Sequence, residues 1–179
     1  MAEPAGSAPH PRRTAVIRLA RAAGVALPVL GFLEGKVEAL PRGEETDLAV
    51  LYAALALEHE AIALYERGLA GNLFPAGLRG YAVEFRGDHL GHRDTQVAIV
   101  EERGGQPPAP KPGYAFGPLA TGDQLLRQAV AIEQAAQDAY LALISQIRTR
   151  DYLLSAAFIL VDEVRHLTVW RRVLGLAIY

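Results

Sequence analysis

Leu160-Val161-Asp162-Glu163-Val164-Arg165-His166-Leu167 sets a carboxylate and an imidazole three positions apart inside an otherwise apolar helical pattern. Side chains at that spacing stand on one face of a helix. Stepping by four and three, the inward stripe reads Tyr152, Ala156, Ile159, Glu163, His166, Trp170 and Val173. Both polar residues therefore interrupt the seam that the helix should bury. A buried carboxylate is costly unless it is paired or bound to a metal. One such interruption is most often a satisfied core residue, but this chain repeats the pattern.

From Thr46 the same periodicity runs through Leu48, Leu51, Leu55, Glu58, Ile62, Tyr65 and Leu69, with Glu58 in the seam. Gly68, Gly71 and Pro75 break this helix. A second is expected over about 75–103, with Leu78, Ala82, Phe85, His89, His92, Gln96 and Ile99 inward. Its Gly80, Gly87 and Gly91 each cost about 1 kcal/mol of helix propensity, and would let a neighbouring helix approach closely. The Pro- and Gly-rich stretch 104–122 is too long for a tight hairpin and can carry the chain from one end of a bundle to the other.

Thr121-Gly122-Asp123-Gln124 has the form of a capping box. The third helix then presents Leu126, Val130, Glu133, Gln137, Tyr140, Ile144 and Ile147 inward, again with a Glu in the seam. The fourth is expected to begin with Asp151 as N-cap and to run to about Gly175. Short connection, long crossover, short connection specifies an all-α, antiparallel four-helix bundle with the crossover between helices two and three.

The two halves are related. Glu58 and Tyr65 return as Glu133 and Tyr140 at an offset of 75, and His89 and His92 return as Glu163 and His166 at 74. A duplicated helical hairpin with one indel explains both offsets. It brings all these polar interruptions into the middle layer of one bundle.

With those residues in view, residues 46–176 resemble the ferritin-like di-metal carboxylate proteins, in which helices one and three each give a Glu and helices two and four each give a Glu-x-x-His pair. Asp88-His89-Leu90-Gly91-His92-Arg93-Asp94, followed by Gly104-Gly105 and the Pro-rich loop, is similar to a poorly characterised bacterial branch that often carries twin-arginine signals. The resemblance implies a metal set of Glu58, His89, His92, Glu133, Glu163 and His166 holding one or two ions of iron or manganese. It also implies redox chemistry with dioxygen or peroxide, by ferrous iron oxidation or by peroxide or superoxide removal. His89 departs from the pattern, because the family places a bridging Glu there. Glu163 bridging alone, Asp88 reaching in from one turn before His92, and a centre of one ion or none all remain open. Tyr65 and Tyr140 are expected in the core, or bonded to a ligating carboxylate; Trp170 is expected to pack, and His59 and Glu60 to face solvent. The competing function is a non-catalytic envelope or stress protein that uses the bundle as a scaffold.

Composition agrees with these limits. At 179 residues and 51% hydrophobic, the chain supports one well-buried domain, expected over 41–179. A net charge of −2 with mixed signs offers no basic field for nucleic acid. With no cysteine there is no thiolate ligand or disulfide, which leaves His, Asp and Glu as the strong donors. Residues 1–40 read as a lead-in. Arg12-Arg13 followed by the apolar run Ala22–Leu33 looks like a twin-arginine export signal to the periplasm or cell envelope. The alternatives are an N-terminal helix and a cytoplasmic protein, and the run is too short and interrupted for a confident transmembrane span. Helical bundles commonly pair, so a homodimer is the expected assembly.

Overall fold

The computed structural model describes residues 44–178. The Arg12-Arg13 motif and the Ala22–Leu33 run lie outside the described residues. Among those described there are four α-helices and no strand: α1 (Glu44–Ala70), α2 (Arg79–Glu102), α3 (Gly122–Ile144) and α4 (Arg150–Val173), with a 3-10 turn at Ala76–Leu78 before α2. This is the expected bundle.

The buried partners fix its directions. Tyr65 of α1 meets Glu133 of α3, and Tyr140 of α3 meets Glu58 of α1, so these helices run antiparallel. His92 meets Asp162 and Asp88 meets His166, which sets α2 antiparallel to α4. The hairpins α1–α2 and α3–α4 pack closely, and α1 also packs closely on α3, whereas α2 and α4 meet mainly through long side chains. Charged groups close that gap at the surface, where Arg165 bonds Glu84 at 3.0 Å and Asp88 at 2.5 Å.

Residue chemistry explains the ends of the elements. The Thr121 hydroxyl accepts from the Gln124 amide, and the Gln124 side chain accepts from the Thr121 backbone, completing the capping box. The fourth helix starts earlier than expected, with Thr149 rather than Asp151 as N-cap. The cause lies in α1: Asp47 accepts from the backbone N–H groups of Arg148 and Thr149 at 2.9 and 3.1 Å and from the Thr149 hydroxyl at 2.8 Å. That clamp holds Thr149 extended, so the helix begins with the next residue. At the end of α2, Gly104 takes a φ of +70° that few side-chain-bearing residues adopt.

Close approach occurs at a different glycine from those expected. A Cβ on Gly80, Gly87 or Gly91 would meet nothing within 4 Å, whereas one on Gly68 would lie 2.6 Å from both Leu125 and Phe74. Helix α1 can press onto α3 there only without a side chain. Two inward assignments also shift. Ala136 rather than Gln137 fills the seam of α3, and Val173 is exposed because α4 ends beside it. By length and composition α1 could cross a membrane, but its apolar residues form the bundle core around Glu58.

Candidate metal centre

Six donors meet at mid-height in the bundle: Glu58, His89, His92, Glu133, Glu163 and His166, all buried. They form two overlapping groups able to hold a cation, Glu58–His89–His92–Glu163 and His89–Glu133–Glu163–His166. His89 and Glu163 belong to both. The expected ligand set is therefore brought together whole, and His89 stands between the two carboxylates of α1 and α3. Its Nδ1 is 2.8 Å from Glu58 Oε2, and its Nε2 is 3.4 Å from Glu133 Oε1.

Around these donors lies a supporting layer arranged in the same way in both halves. Asp162 Oδ2 is 3.3 Å from His92 Nε2, and Asp88 Oδ2 is 3.0 Å from His166 Nε2. Each aspartate so engages the outer nitrogen of the opposite hairpin's histidine and turns Nδ1 inward. Asp88 is thus not a member of either donor group; its carboxylate is committed to His166 and Arg165. Tyr65 donates to Glu133, and Tyr140 donates to Glu58. The tyrosines take the hydrogen-bonding role rather than packing alone.

Beyond that layer the halves diverge. Trp170 donates from Nε1 to the Tyr65 hydroxyl at 2.7 Å, within a cluster that includes Phe74 and Phe85. On the other side the Gln96 amide donates to the Tyr140 hydroxyl at 2.6 Å. His59 does not face solvent. It is buried, with Nε2 3.1 Å from the Pro108 carbonyl, because the crossover folds back over that face of α1.

Residues 46–176 match the ferritin-like domain. The chain belongs to the ferritin-like family. A conserved hypothetical protein, rv2844, from Mycobacterium tuberculosis has a similar fold. That likeness has a TM-score of 0.68 and 29% identity, and covers 73% of this chain and 91% of the other. No curated protein matches the chain.

In this ferritin-like centre the donors fit a cation on their own chemistry. His92 Nδ1, His166 Nδ1, Glu133 Oε2 and both oxygens of Glu163 are buried without a hydrogen-bond partner. Buried polar atoms are ordinarily satisfied, and all of these belong to the two donor groups. Without a cation the cluster balances its own charge. Burial drives Glu163 well above the usual carboxylate range, opposed by His89 and His92 and reinforced by Glu133 and Glu58. Burial would also raise Glu58, but the hydrogen bond with His89 and the nearby charge of His92 outweigh it and hold the carboxyl at about 2. Burial lowers His92, yet Glu163 and Glu58 overcome it and bring the imidazole up to about 10. His89 is likewise raised, against its burial, by Glu163 and Glu133. The carboxylates that would hold a metal thus favour the protonated form of these imidazoles in its absence.

Asp88, expected as a possible ligand, and Asp162, which the helical period leaves without a role, both turn out to support the histidines. The signal was present, since an Asp precedes the first donor of each pair at the repeat offset of 74. Asp47 carried no such signal, because its partners lie on a loop about a hundred residues away.

Proposed function

We propose that this protein is a ferritin-like redox metalloprotein that binds one or two iron or manganese ions among Glu58, His89, His92, Glu133, Glu163 and His166. Its reaction is ferrous iron oxidation or the removal of peroxide or superoxide. The observation that carries the reading is the pair of buried donor groups that share His89 and Glu163. Carboxylate and imidazole donors suit iron and manganese, and such an ion supplies one-electron redox change and an open position for dioxygen or peroxide.

The chain's own residues set the conditions. Asp88 and Asp162 hold the two histidines with Nδ1 inward. Tyr65 and Tyr140 each occupy one oxygen of a glutamate, which leaves Glu133 Oε2 free as a donor. Burial keeps bulk water from these atoms, so charge changes within the cluster are felt strongly. A cation held by these donors would compete with protons on the inward nitrogens of the histidines and on Glu163.

Metal content per chain in protein purified without added metal, with anomalous scattering at the iron and manganese edges, tests the reading. One or two ions at the donor set are expected; none would leave the bundle as a scaffold. His89 then reports on nuclearity. If its imidazole replaces a bridging carboxylate, the centre lacks one negative charge for a second cation. His89→Glu should raise loading toward two ions per chain, and His89→Ala should lower it, by metal analysis of titrated protein. Equal loading in both variants and the native chain removes His89 from the site.

A further inference from the structure

The bundle is less completely filled on the Glu58 side of the centre than on the Glu133 side. A cavity of about 20 Å³, partly open to the surface beside Thr95, lies there, walled by Val50, Ala54, Ile99, Leu143, Ala156 and Ile159, side chains from all four helices. Gln96 and Tyr140 also line it, and both hydrogen-bond Glu58, so it adjoins the donor set.

The repeat explains its origin. At the offset of 74, Trp170 occupies the position of Gln96, and Phe85 that of Ile159. Trp170 and Phe85 are fully buried and fill the Glu133 side with rings. An amide and a branched aliphatic chain in their places leave the volume unfilled.

The walls select what fits. The hydroxyl of Thr95 donates to the Gly91 carbonyl at 2.9 Å, and that of Ser155 to the Asp151 carbonyl at 3.1 Å, so both lining hydroxyl protons are spent on their own helices. Tyr140 gives its proton to Glu58, and Gln96 Nε2 donates to Tyr140. Gln96 Oε1 alone is left without a partner. A buried water typically makes about three hydrogen bonds, and about 10–15 Å³ is enough to hold one water-sized molecule. The cavity has the room, but its wall is almost wholly apolar and it offers only Gln96 Oε1 and two hydroxyl oxygens, all acceptors, with no free proton to donate, which favours a small apolar molecule over water.

We propose that this cavity is a dioxygen-holding site that serves the Glu58 half of the centre. The assignment rests on the redox reading above for its purpose, while the cavity's preference for an apolar gas stands on the walls alone. A site of this kind raises the local presence of a sparingly soluble gas beside the donors, and in the Glu133 half the rings of Trp170 and Phe85 take the equivalent positions.

Crystals of metal-free protein under xenon pressure are expected to show one xenon between Ala54, Ile159 and Gln96. Ile159→Phe, which copies Phe85, should abolish it, and Ala156→Val should reduce its occupancy with a smaller demand on the packing. In metal-loaded protein, Ile159→Phe should lower dioxygen consumption several-fold at limiting dioxygen with metal content unchanged. An ordered water bonded to Gln96, an absence of xenon, or unaltered dioxygen consumption in Ile159→Phe overturns the proposal. Because xenon needs no metal, the two readings fail separately. Loaded protein that takes no xenon refutes the cavity's role alone, whereas protein that takes xenon but never loads metal refutes the redox reading and with it the dioxygen role.

Discussion

The Glu133 half of the centre is enclosed by Trp170, Phe74 and Phe85, and the Glu58 half by Gln96 and an aliphatic cavity, although both are built on one repeated helical hairpin. What the halves retain in common is electrostatic. Glu58 and Glu133, Tyr65 and Tyr140, Asp88 and Asp162, and His92 and His166 occupy equivalent positions and make equivalent bonds. Each polar atom in a dry layer needs its partner, so losing one costs the desolvation of the other. The halves differ in volume, in the second bond that Gln96 but not Trp170 offers its glutamate, and at one pair of donors. His89 faces Glu163 across the shared middle, base in one repeat and acid in the other, and both donor groups use both residues.

That sharing predicts the largest difference among single substitutions. Glu163→Gln should remove all bound metal, because both groups lose a ligand, whereas Glu58→Gln and Glu133→Gln should each empty mainly their own half. The fold should survive Glu163→Gln particularly well. Burial favours the neutral acid form of Glu163 in the metal-free core, and glutamine has nearly the shape and hydrogen-bonding of that form. Metal analysis with circular dichroism checks both statements. If Glu58→Gln or Glu133→Gln strips the protein as fully as Glu163→Gln, the halves are one indivisible site.

Protons give a second comparison, between the metal-free and loaded protein. His92 titrates near 10 in the fold against an ordinary 6.5, raised against its burial by Glu163 and Glu58. A raised pKa stabilises the fold fully below the unfolded value and loses that contribution as pH climbs through the folded one. His89 and Glu163, both raised, act in the same sense. Glu58, lowered from 4.5 to about 2, contributes above 4.5 and loses it toward 2. The metal-free protein should therefore melt at progressively lower temperature as pH rises from 6.5 toward 10, with a second decline below 4.5. Metal loading should move the other way in the alkaline range, since a cation competes with the same protons. Melting curves over pH, with and without metal, decide it. A flat metal-free profile between 6.5 and 10 would remove imidazolium from the core.

The seam residues were legible because a charged side chain breaks an apolar period visibly, and the repeat offsets showed that Glu58 and Glu133, like His92 and His166, are equivalent. The environment of His59 was not legible. Periodicity on α1 cannot report the crossover that returns from Pro108 to cover it. The Thr149 cap was hidden for the same reason, since Asp47, which imposes it, is remote in sequence. Gln137 and Val173 fit the period but not the bundle: the first gives way to Ala136, and the second falls where α4 stops. Nor could the sequence show that His89 addresses both carboxylates, because that depends on how far α1 and α3 hold Glu58 and Glu133 apart.

The smallest expected effect separates the two tyrosines. Tyr65→Phe removes the proton given to Glu133 and also the acceptor of Trp170 Nε1, so two buried groups lose partners at once. Glu133 keeps only the 3.4 Å contact from His89 on that oxygen, and apolar rings surround the place the hydroxyl leaves. Tyr140→Phe removes the proton given to Glu58, but Gln96 Nε2 already lies 3.4 Å from that same oxygen and, freed from the hydroxyl, can turn to it. The adjoining cavity gives the amide space to do so. Leaving a buried polar group unsatisfied costs about 1–3 kcal/mol. Tyr65→Phe should fall in the upper part of that range, and Tyr140→Phe at or below its lower end. Urea unfolding of the metal-free variants at one neutral pH measures the difference directly. Equal losses would show that Gln96 cannot substitute and that the amide is as fixed as the indole opposite. A larger loss for Tyr140→Phe would reverse the assignment of the aromatic half as the more rigid one.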